Sequence, residues 1–228
     1  MSEGIVVSFA TEKGGSKKTT QNQILAEIFA DLGQTVNILD FDPQGTMLRW
    51  VERRDQLIEE GYEISKINIA TEYDKDNFYD AISNSIKEYD ITIIDPPGTD
   101  GEALREVYIS ASLIIIPVTP VQNDLETLPS IKRLLTKTQK RFNSEAIVRT
   151  MFVDLPTHAN DRSKSIAMEY LKEINFLEDA PLLNAYTKHR KVYSDAQVNG
   201  LTAFSVDNEI SNFECNLLKK DIIKLLEE

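Results

Sequence analysis

The stretch TEKGGSKKTT at residues 11–20 follows an apolar, β-branched run at residues 5–10. A short strand, a glycine-containing turn and a Lys-Thr pair that opens a helical pattern form the arrangement in which backbone N–H groups wrap a phosphate chain. We therefore predict a phosphate-binding loop, with Lys18 neutralising the β- and γ-phosphates and the Thr19 hydroxyl holding Mg²⁺. The alternative is a lysine-rich surface turn after an edge strand.

Alternating strand and helix patterns continue along the whole chain. The periodicity predicts strands at residues 5–10, 35–41, 64–70, 91–95, 113–119, 146–153 and 181–185, and helices at 18–32, 47–60, 78–89, 123–142, 163–174 and 208–228. Such alternation predicts an α/β fold with a doubly wound, mostly parallel sheet and helices on both faces. We expect a single domain over residues 1–228.

Two aspartate motifs follow predicted strands. The first is Asp40-Phe41-Asp42-Pro43-Gln44-Gly45, and the second is Asp95-Pro96-Pro97-Gly98. Carboxylates at i and i+2 of an extended chain point the same way, which suits one to the water shell of a metal and the other to an attacking water. The alternative reading of the first motif is an acidic turn before Pro43.

These three motifs together resemble the ParA/MinD family of ATPases. Lys13-Gly14-Gly15-x-x-Lys18-Thr19-Thr20 is similar to the deviant Walker A motif of that family, the first aspartate motif to its Walker A′ segment, and the second to Walker B with its switch region. The resemblance implies a P-loop NTPase fold, ATP and Mg²⁺ as cofactors, and a homodimer that forms on ATP, in which Lys13 reaches the partner's phosphates.

The resemblance also assigns site residues. It implies catalytic roles for Lys13 and Asp42, of which Asp42 orients the attacking water. It implies Mg²⁺ ligation, direct or through water, by Thr19, Asp40 and Asp95. The implied nucleotide-binding residues are Lys13, Gly14, Gly15, Ser16, Lys17, Lys18, Thr19 and Thr20.

The chain departs from the family pattern at Lys17, which stands where an ordinary phosphate-binding loop has its second glycine. A side chain there is expected either to hold the backbone in a strained left-handed conformation or to add a positive charge beside the phosphates. Glu12 takes the first glycine position, a difference of less weight. Asp95 is adjacent to Pro96, whereas the family places one residue between them. The chain therefore matches the family at Asp95 and departs from it in the switch region.

The composition limits the partners. The 228 residues carry a net charge of −12 and a single cysteine, which argues against a generally basic nucleic-acid-coating protein and against a disulfide framework. Any DNA contact must come from a local patch, for which the candidates are Lys137, Lys140 and Arg141. Arg190 lies in a segment that loosely resembles small ParA-type partition ATPases and their VirC-type relatives, and this resemblance implies a DNA-contacting or dimer-surface residue. Alternatively, Lys137, Lys140 and Arg141 form only a basic helix end that complements the helix dipole.

We therefore expect a cytoplasmic, nucleoid-associated ParA-like ATPase, slow without a partner, that positions or segregates plasmid or chromosomal DNA or another cargo. The resemblance implies stimulation by a ParB-like partner. Three rivals stay open: a MinD-like membrane-associated ATPase, a nucleotide-binding module with little hydrolysis because of Lys17, and a metabolic ligase of the same superfamily. The last predicted helix ends in Glu227 and Glu228, which disfavours membrane binding and favours packing in the core.

Overall fold

The protein is built on one sheet of seven parallel strands. The computed structural model describes residues 3–70, 77–98, 101–158 and 160–227. The strand order is β3-β2-β4-β1-β5-β6-β7, and each neighbouring pair runs parallel, so the predicted fold class is confirmed. The strands are β1 (Ile5–Phe9), β2 (Val36–Asp40), β3 (Asn68–Ala70), β4 (Ile91–Asp95), β5 (Leu113–Val118), β6 (Ile147–Leu155) and β7 (Leu182–Lys188).

Helices connect the strands and cover both faces of the sheet. In the described part of the chain they are α1 (Lys18–Asp31), α2 (Thr46–Glu59), α3 (Phe78–Glu88), α4 (Gly101–Ser110), α5 (Gln122–Leu125), α6 (Leu128–Phe142), α7 (Ser163–Glu173), α8 (Phe176–Asp179), α9 (Lys191–Val198) and α10 (Glu209–Glu227). None of them is long and apolar enough to cross a membrane.

Two predicted elements were wrong in outline. The single helix expected at 123–142 is broken into α5 and α6, with Pro129 in the first turn of α6. A proline lacks the N–H that would continue a preceding helix, but it fits a helix start. Strand β7 runs on to Lys188, beyond the predicted end at residue 185, and the side-chain amide of Asn184 within it donates to Asp221.

The core is divided between the two faces. Helices α1, α2 and α10 pack on one face of the sheet, and α3, α4, α6 and α7 pack on the other. Trp50 of α2 is fully buried in the core on the first face. Helix α10 buries Cys215, Leu218 and Ile222 against the first face, so the prediction of a core-packing final helix is confirmed.

The segment after α9 is fastened to α1 and α2. Arg54 is buried and pairs with Glu27 of α1 at 2.9 Å, while its Nε donates to the Ser65 carbonyl at 2.8 Å. The Trp50 indole donates to the Leu201 carbonyl at 3.0 Å. Gly200, with φ of 69°, lies so close to α2 that an added Cβ would be 2.6 Å from the backbone nitrogen of Arg54. Helix α1 follows the phosphate-binding loop and helix α2 follows the first aspartate motif. The Glu27–Arg54 pair joins the two helices, and the segment at Gly200 and Leu201 packs against α2.

This packing predicts a large cost for Gly200→Ala. The left-handed backbone costs a non-glycine residue about 1–2 kcal/mol, and the overlap with α2 adds about 1–3 kcal/mol. Gly61→Ala is the matched control, because Gly61 has φ of 92° with no atom within 4 Å of an added Cβ. Urea unfolding should show a clearly larger loss of unfolding free energy for Gly200→Ala. Equal losses would mean that the contact between Gly200 and α2 is unimportant for stability.

Candidate functional site

The candidate site lies where three neighbouring strands end. Strands β2, β4 and β1 are adjacent and parallel, and Asp40 is the register partner of Asp95 at the ends of β2 and β4. The phosphate-binding loop begins just after β1 and leads into α1. A cavity of about 250 Å³ opens here, and it is lined by Gly14, Gly15, Ser16, Lys17, Lys18, Thr19, Thr20, Asp42 and Gly98.

Lys18 lies inside the loop. Its ammonium donates to the Lys13 carbonyl at 2.8 Å and lies 3.5 Å from the Ser16 hydroxyl. Burial lowers the pKa of Lys18, against the opposing attraction of the Asp95 and Asp42 carboxylates. The loop thus holds the Lys18 ammonium in the partly desolvated cavity described above, which we call the cradle. A charged donor in this cradle interacts more strongly with an anion than it would in water.

Gly98 brings the second aspartate motif against the loop. A Cβ added to Gly98 would lie 2.9 Å from the Cα of Gly14 and 3.6 Å from the ammonium of Lys18. Only glycine permits this approach of backbone to backbone. The segment after Asp95 therefore contacts the cradle directly, although its amino-acid sequence differs from the family pattern.

Asp95 is held by two side chains of α1. The Thr19 hydroxyl donates to one carboxylate oxygen at 2.8 Å, and the Asn22 amide donates to the other at 2.7 Å. Burial raises the pKa of Asp95 to about 7, against the opposing effect of these two hydrogen bonds. A hydroxyl and a carboxylate in contact are the hard oxygen ligands that Mg²⁺ takes, so the residues present fit this ion.

Sequence reasoning missed Asn22. Its amide also bonds the backbone of Phe9 in β1, with the Phe9 N–H donating to Asn22 Oδ1 at 2.8 Å, so it joins β1 to the end of β4. The available signal was the run Gln21-Asn22-Gln23, three consecutive polar residues that are all buried in α1. Polar side chains inside a core need partners, and such a run indicates a buried hydrogen-bond network.

The two carboxylates of the first motif, Asp40 and Asp42, differ in burial and in hydrogen-bond partners. Asp40 accepts the N–H groups of Asp42 at 3.0 Å and Leu48 at 3.3 Å, and burial raises its pKa. Asp42 is half-buried, accepts the N–H of Gln44 at 2.9 Å and lines the cavity. The extended strand assumed for both carboxylates ends at Asp40, and Asp42 follows it outside the strand.

Lys13 is directed away from the cradle that its own loop forms. Its ammonium makes an ion pair with Asp124 of α5, and the Thr119 hydroxyl donates to the same carboxylate. Asp124 is thus a site residue that the sequence did not suggest. The geometry leaves Lys18 as the lysine whose ammonium lies inside the cradle, while Lys13 is paired elsewhere in the chain.

Comparison with known proteins agrees with this geometry. The sequence model of the ATPase MipZ family matches residues 5–151. The chain belongs to this family. The resemblance to ParA/MinD-type P-loop ATPases is thereby confirmed, and the family is one of ATPases.

Individual relatives cover most of the chain. The maintenance of carboxysome distribution protein A of Halothiobacillus neapolitanus is 25% identical over 90% of this chain and 88% of its own length. The chromosome-partitioning ATPase Soj of Treponema pallidum is 23% identical over 90% of each chain. The ATP complex of McdA from Cyanothece has a TM-score of 0.75 at 15% identity and covers 97% of each chain, which shows a shared fold.

Lys17 departs from the usual loop in a defined way. Its φ of 63° and ψ of 17° lie in the left-handed region, which confirms the expectation that a non-glycine residue is held there. Its ammonium lies 3.6 Å from a carboxylate oxygen of Asp154, at the end of β6. Asp154 itself has φ of 56° and lies 3.0 Å from His189 Nδ1. The side chain of Lys17 therefore links the loop to the end of β6.

A second cavity of about 250 Å³ adjoins the loop on this side, between the ends of β6 and β7 and the start of α9. Doubly wound folds bind their ligands outside the carboxyl ends of the strands, which is where this cavity lies. Gln197 of α9 reaches into the first turns of α1, donating to Thr20 Oγ1 at 2.8 Å and Gln23 Oε1 at 2.6 Å. The lining residues are Lys17, Thr20, Gln21, Asp154, Thr187, Lys188, His189, Arg190, Lys191, Tyr193, Ser194 and Gln197.

Arg190 does not share a surface with the other predicted DNA contacts. Its Nε donates to buried Glu214 of α10 at 3.0 Å, and the Tyr193 hydroxyl donates to the same carboxylate at 2.7 Å. Because α10 and α6 cover opposite faces of the sheet, Arg190 is separated from Lys137, Lys140 and Arg141, which are all exposed on α6. The motif around Arg190 thus fastens α9 to α10.

We expect Lys17→Gly to tighten ATP binding several-fold. Relief of the left-handed backbone is worth about 1–2 kcal/mol, whereas a half-exposed ion pair contributes about 0–1 kcal/mol. Asp154→Asn is the matched control, because it removes the carboxylate and leaves the backbone of Lys17 unchanged. Isothermal titration with ATP and Mg²⁺ measures both. Weaker binding by Lys17→Gly, with Asp154→Asn showing the same deficit, would show that the pairing outweighs the strain.

Proposed function

We propose that this protein binds ATP with Mg²⁺, dimerises on the bound nucleotide and uses hydrolysis to position a cellular cargo. The observation that carries the proposal is the arrangement of the two lysines of the loop. The Lys18 ammonium occupies the cradle, while the Lys13 ammonium is held by Asp124 outside it. A lysine that does not serve its own cradle is available to the nucleotide of a second chain.

In this proposal the nucleotide's phosphates lie on the loop. The N–H groups at the start of α1, with the helix dipole, favour a polyanion, and Lys18 adds the formal charge. Thr19 and Asp95 would hold Mg²⁺, with Asp40 on the metal side, and the bound ion would neutralise part of the phosphate charge. Lys13, Ser16, Lys17 and Thr20 complete the nucleotide set, although the ammonium of Lys17 is directed to Asp154.

Asp42 is our candidate for orienting the attacking water. It is the half-buried carboxylate that lines the cavity with Lys18 and Gly98. Hydrolysis by the single chain is slow in this account, because Lys13 remains with Asp124 until a partner's phosphates compete for it. A triphosphate carries several negative charges and a carboxylate carries one, so the exchange is favourable once two chains meet.

Two kinds of cargo are consistent with the family. Relatives are named for carboxysome distribution and for chromosome partitioning, so both compartments and DNA fit the family. The exposed cations Lys137, Lys140 and Arg141 support nonspecific contact with DNA and hence association with the nucleoid. A small ParB-like partner would stimulate hydrolysis and set the position of the cargo.

The dimer gives the sharpest test of this function. With ATP and Mg²⁺, Asp42→Ala should bind nucleotide, lose most hydrolysis and accumulate as a dimer by light scattering, because the water is no longer oriented. Lys13→Ala should bind ATP and stay monomeric. Hydrolysis by Asp42→Ala at the wild-type rate, or full dimerisation of Lys13→Ala, would refute these assignments.

Asp124→Asn tests whether the ion pair with Asp124 restrains Lys13. It removes the charge that holds Lys13 and leaves the lysine itself unchanged, so the dimer fraction at a fixed ATP concentration should rise above that of the wild type. A lower fraction would mean that Asp124 supports the dimer instead of competing with it.

A further inference from the structure

Helix α6 presents a cationic face on an acidic protein. Its basic residues are Lys132, Arg133, Lys137, Lys140 and Arg141, and its fifteen residues include no acidic one, whereas the whole chain has 37 acidic and 25 basic residues. Lys132 is bound within the protein: its ammonium donates to the Asn175 carbonyl at 2.6 Å and pairs with the Asp179 carboxylate at 3.2 Å. The other four are exposed.

The four exposed cations share one side of the helix. Positions 133, 137, 140 and 141 follow the spacing of three and four residues that places side chains above one another. At the helical rise they span about 12 Å, which is long enough to meet more than one backbone phosphate of a nucleic-acid strand. The stripe therefore has the length and the charge to follow a short run of backbone phosphates.

An exposed aromatic ring ends this stripe. Phe142 is 51% exposed, and its centroid lies 5.6 Å from the guanidinium carbon of Arg141 and 5.8 Å from that of Arg105 on α4. Asn143 fixes the helix end against α4, donating to the Ala111 carbonyl at 2.9 Å. The ring thus lies at the junction of two helices, and it forms one layered surface with the two guanidinium groups over it.

These features select among anionic partners. Lysines and arginines alone would suit any polyanion, but an exposed ring flanked by guanidinium groups is a platform for a flat, unstacked base. A duplex keeps its bases stacked and offers only phosphates to such a surface. Insertion into an anionic membrane needs a broad apolar face, and Phe142 is the sole large apolar side chain exposed on α6.

We propose that Arg133, Lys137, Lys140 and Arg141 of α6, with Phe142 and Arg105, form a binding surface for single-stranded nucleic acid. The cations contact consecutive phosphates, and one base stacks on the layer formed by the Phe142 ring and the guanidinium groups of Arg141 and Arg105. This inference deepens the proposed function and rests on it for a nucleic-acid partner. The same chemistry serves DNA and RNA, because the surface described here recognises phosphate and base plane and no feature that depends on the sugar.

The test compares strands and duplex on the full chain with ATP and Mg²⁺. Fluorescence anisotropy is measured with oligothymidine and oligouridine of about 16 nucleotides and with a mixed-sequence duplex of the same length, at about 50 and 200 mM salt. Phe142→Leu should weaken binding of both single strands by about tenfold and leave the duplex unchanged. Phe142→Tyr keeps the ring and should retain wild-type affinity.

Charge removal separates the phosphate contacts. The double variant Lys137→Gln and Lys140→Gln should weaken all three ligands and lower the salt slope by about 1.4 for the single strands. Unfolding temperatures of all variants should match the wild type, since the substituted side chains are exposed. Oligothymidine and oligouridine that bind differently by more than a few-fold would overturn the shared-chemistry part of the proposal.

Three results would overturn the surface itself. These are an unchanged single-strand affinity in Phe142→Leu, an equal loss for strand and duplex in that variant, and a wild type that binds duplex only. The last result would leave the proposed positioning function intact. Conversely, a chain that binds single strands through Phe142 but fails to dimerise on ATP in light scattering would contradict the proposed function and keep this surface.

Discussion

The structure depends on the parallel alignment of β2, β4 and β1, which brings three chain segments to one edge of the sheet. Parallel strands need long crossovers, and here these crossovers are helices that begin at the same edge. The alignment sets Asp40 opposite Asp95 and places the phosphate-binding loop beside both. A one-residue slip of β4 would turn Asp95 to the other face of the sheet and leave Thr19 and Asn22 without their shared acceptor.

Burial gives this edge its chemistry. Asp95 is buried with Thr19 and Asn22 as donors, and Lys18 is buried among carbonyl and hydroxyl oxygens. Buried charges are costly without partners of opposite charge, so these surroundings favour binding of a polyanion together with a cation. The buried pair of Glu27 and Arg54 ties α1 to α2 behind this edge, so the loop and the first aspartate motif keep a fixed spacing.

The sequence predicted the elements near the site well, because glycines, Lys-Thr and terminal aspartates follow strands whose apolar runs are unmistakable. It also predicted the left-handed backbone of Lys17, since the residue stands where a glycine is usual. It could not show that the Lys13 ammonium meets Asp124, or that Asn22 joins β1 to Asp95. Those contacts join residues far apart in the chain, and no local periodicity marks them. The break between α5 and α6 was signalled by Pro129, whereas the pairing of Arg190 with Glu214 had no local signal because Glu214 lies on a later helix.

The central claim is that Lys18 supplies the charge of a phosphate cradle on this edge. Isothermal titration calorimetry with ATP and Mg²⁺ tests it most directly, comparing the wild type with Lys18→Ala after thermal unfolding has shown that both are folded. The account predicts saturable binding by the wild type and at least a hundredfold weaker binding by Lys18→Ala, about the effect of losing one buried charge-assisted contact of 3 kcal/mol. Equal affinities for the two proteins would contradict it.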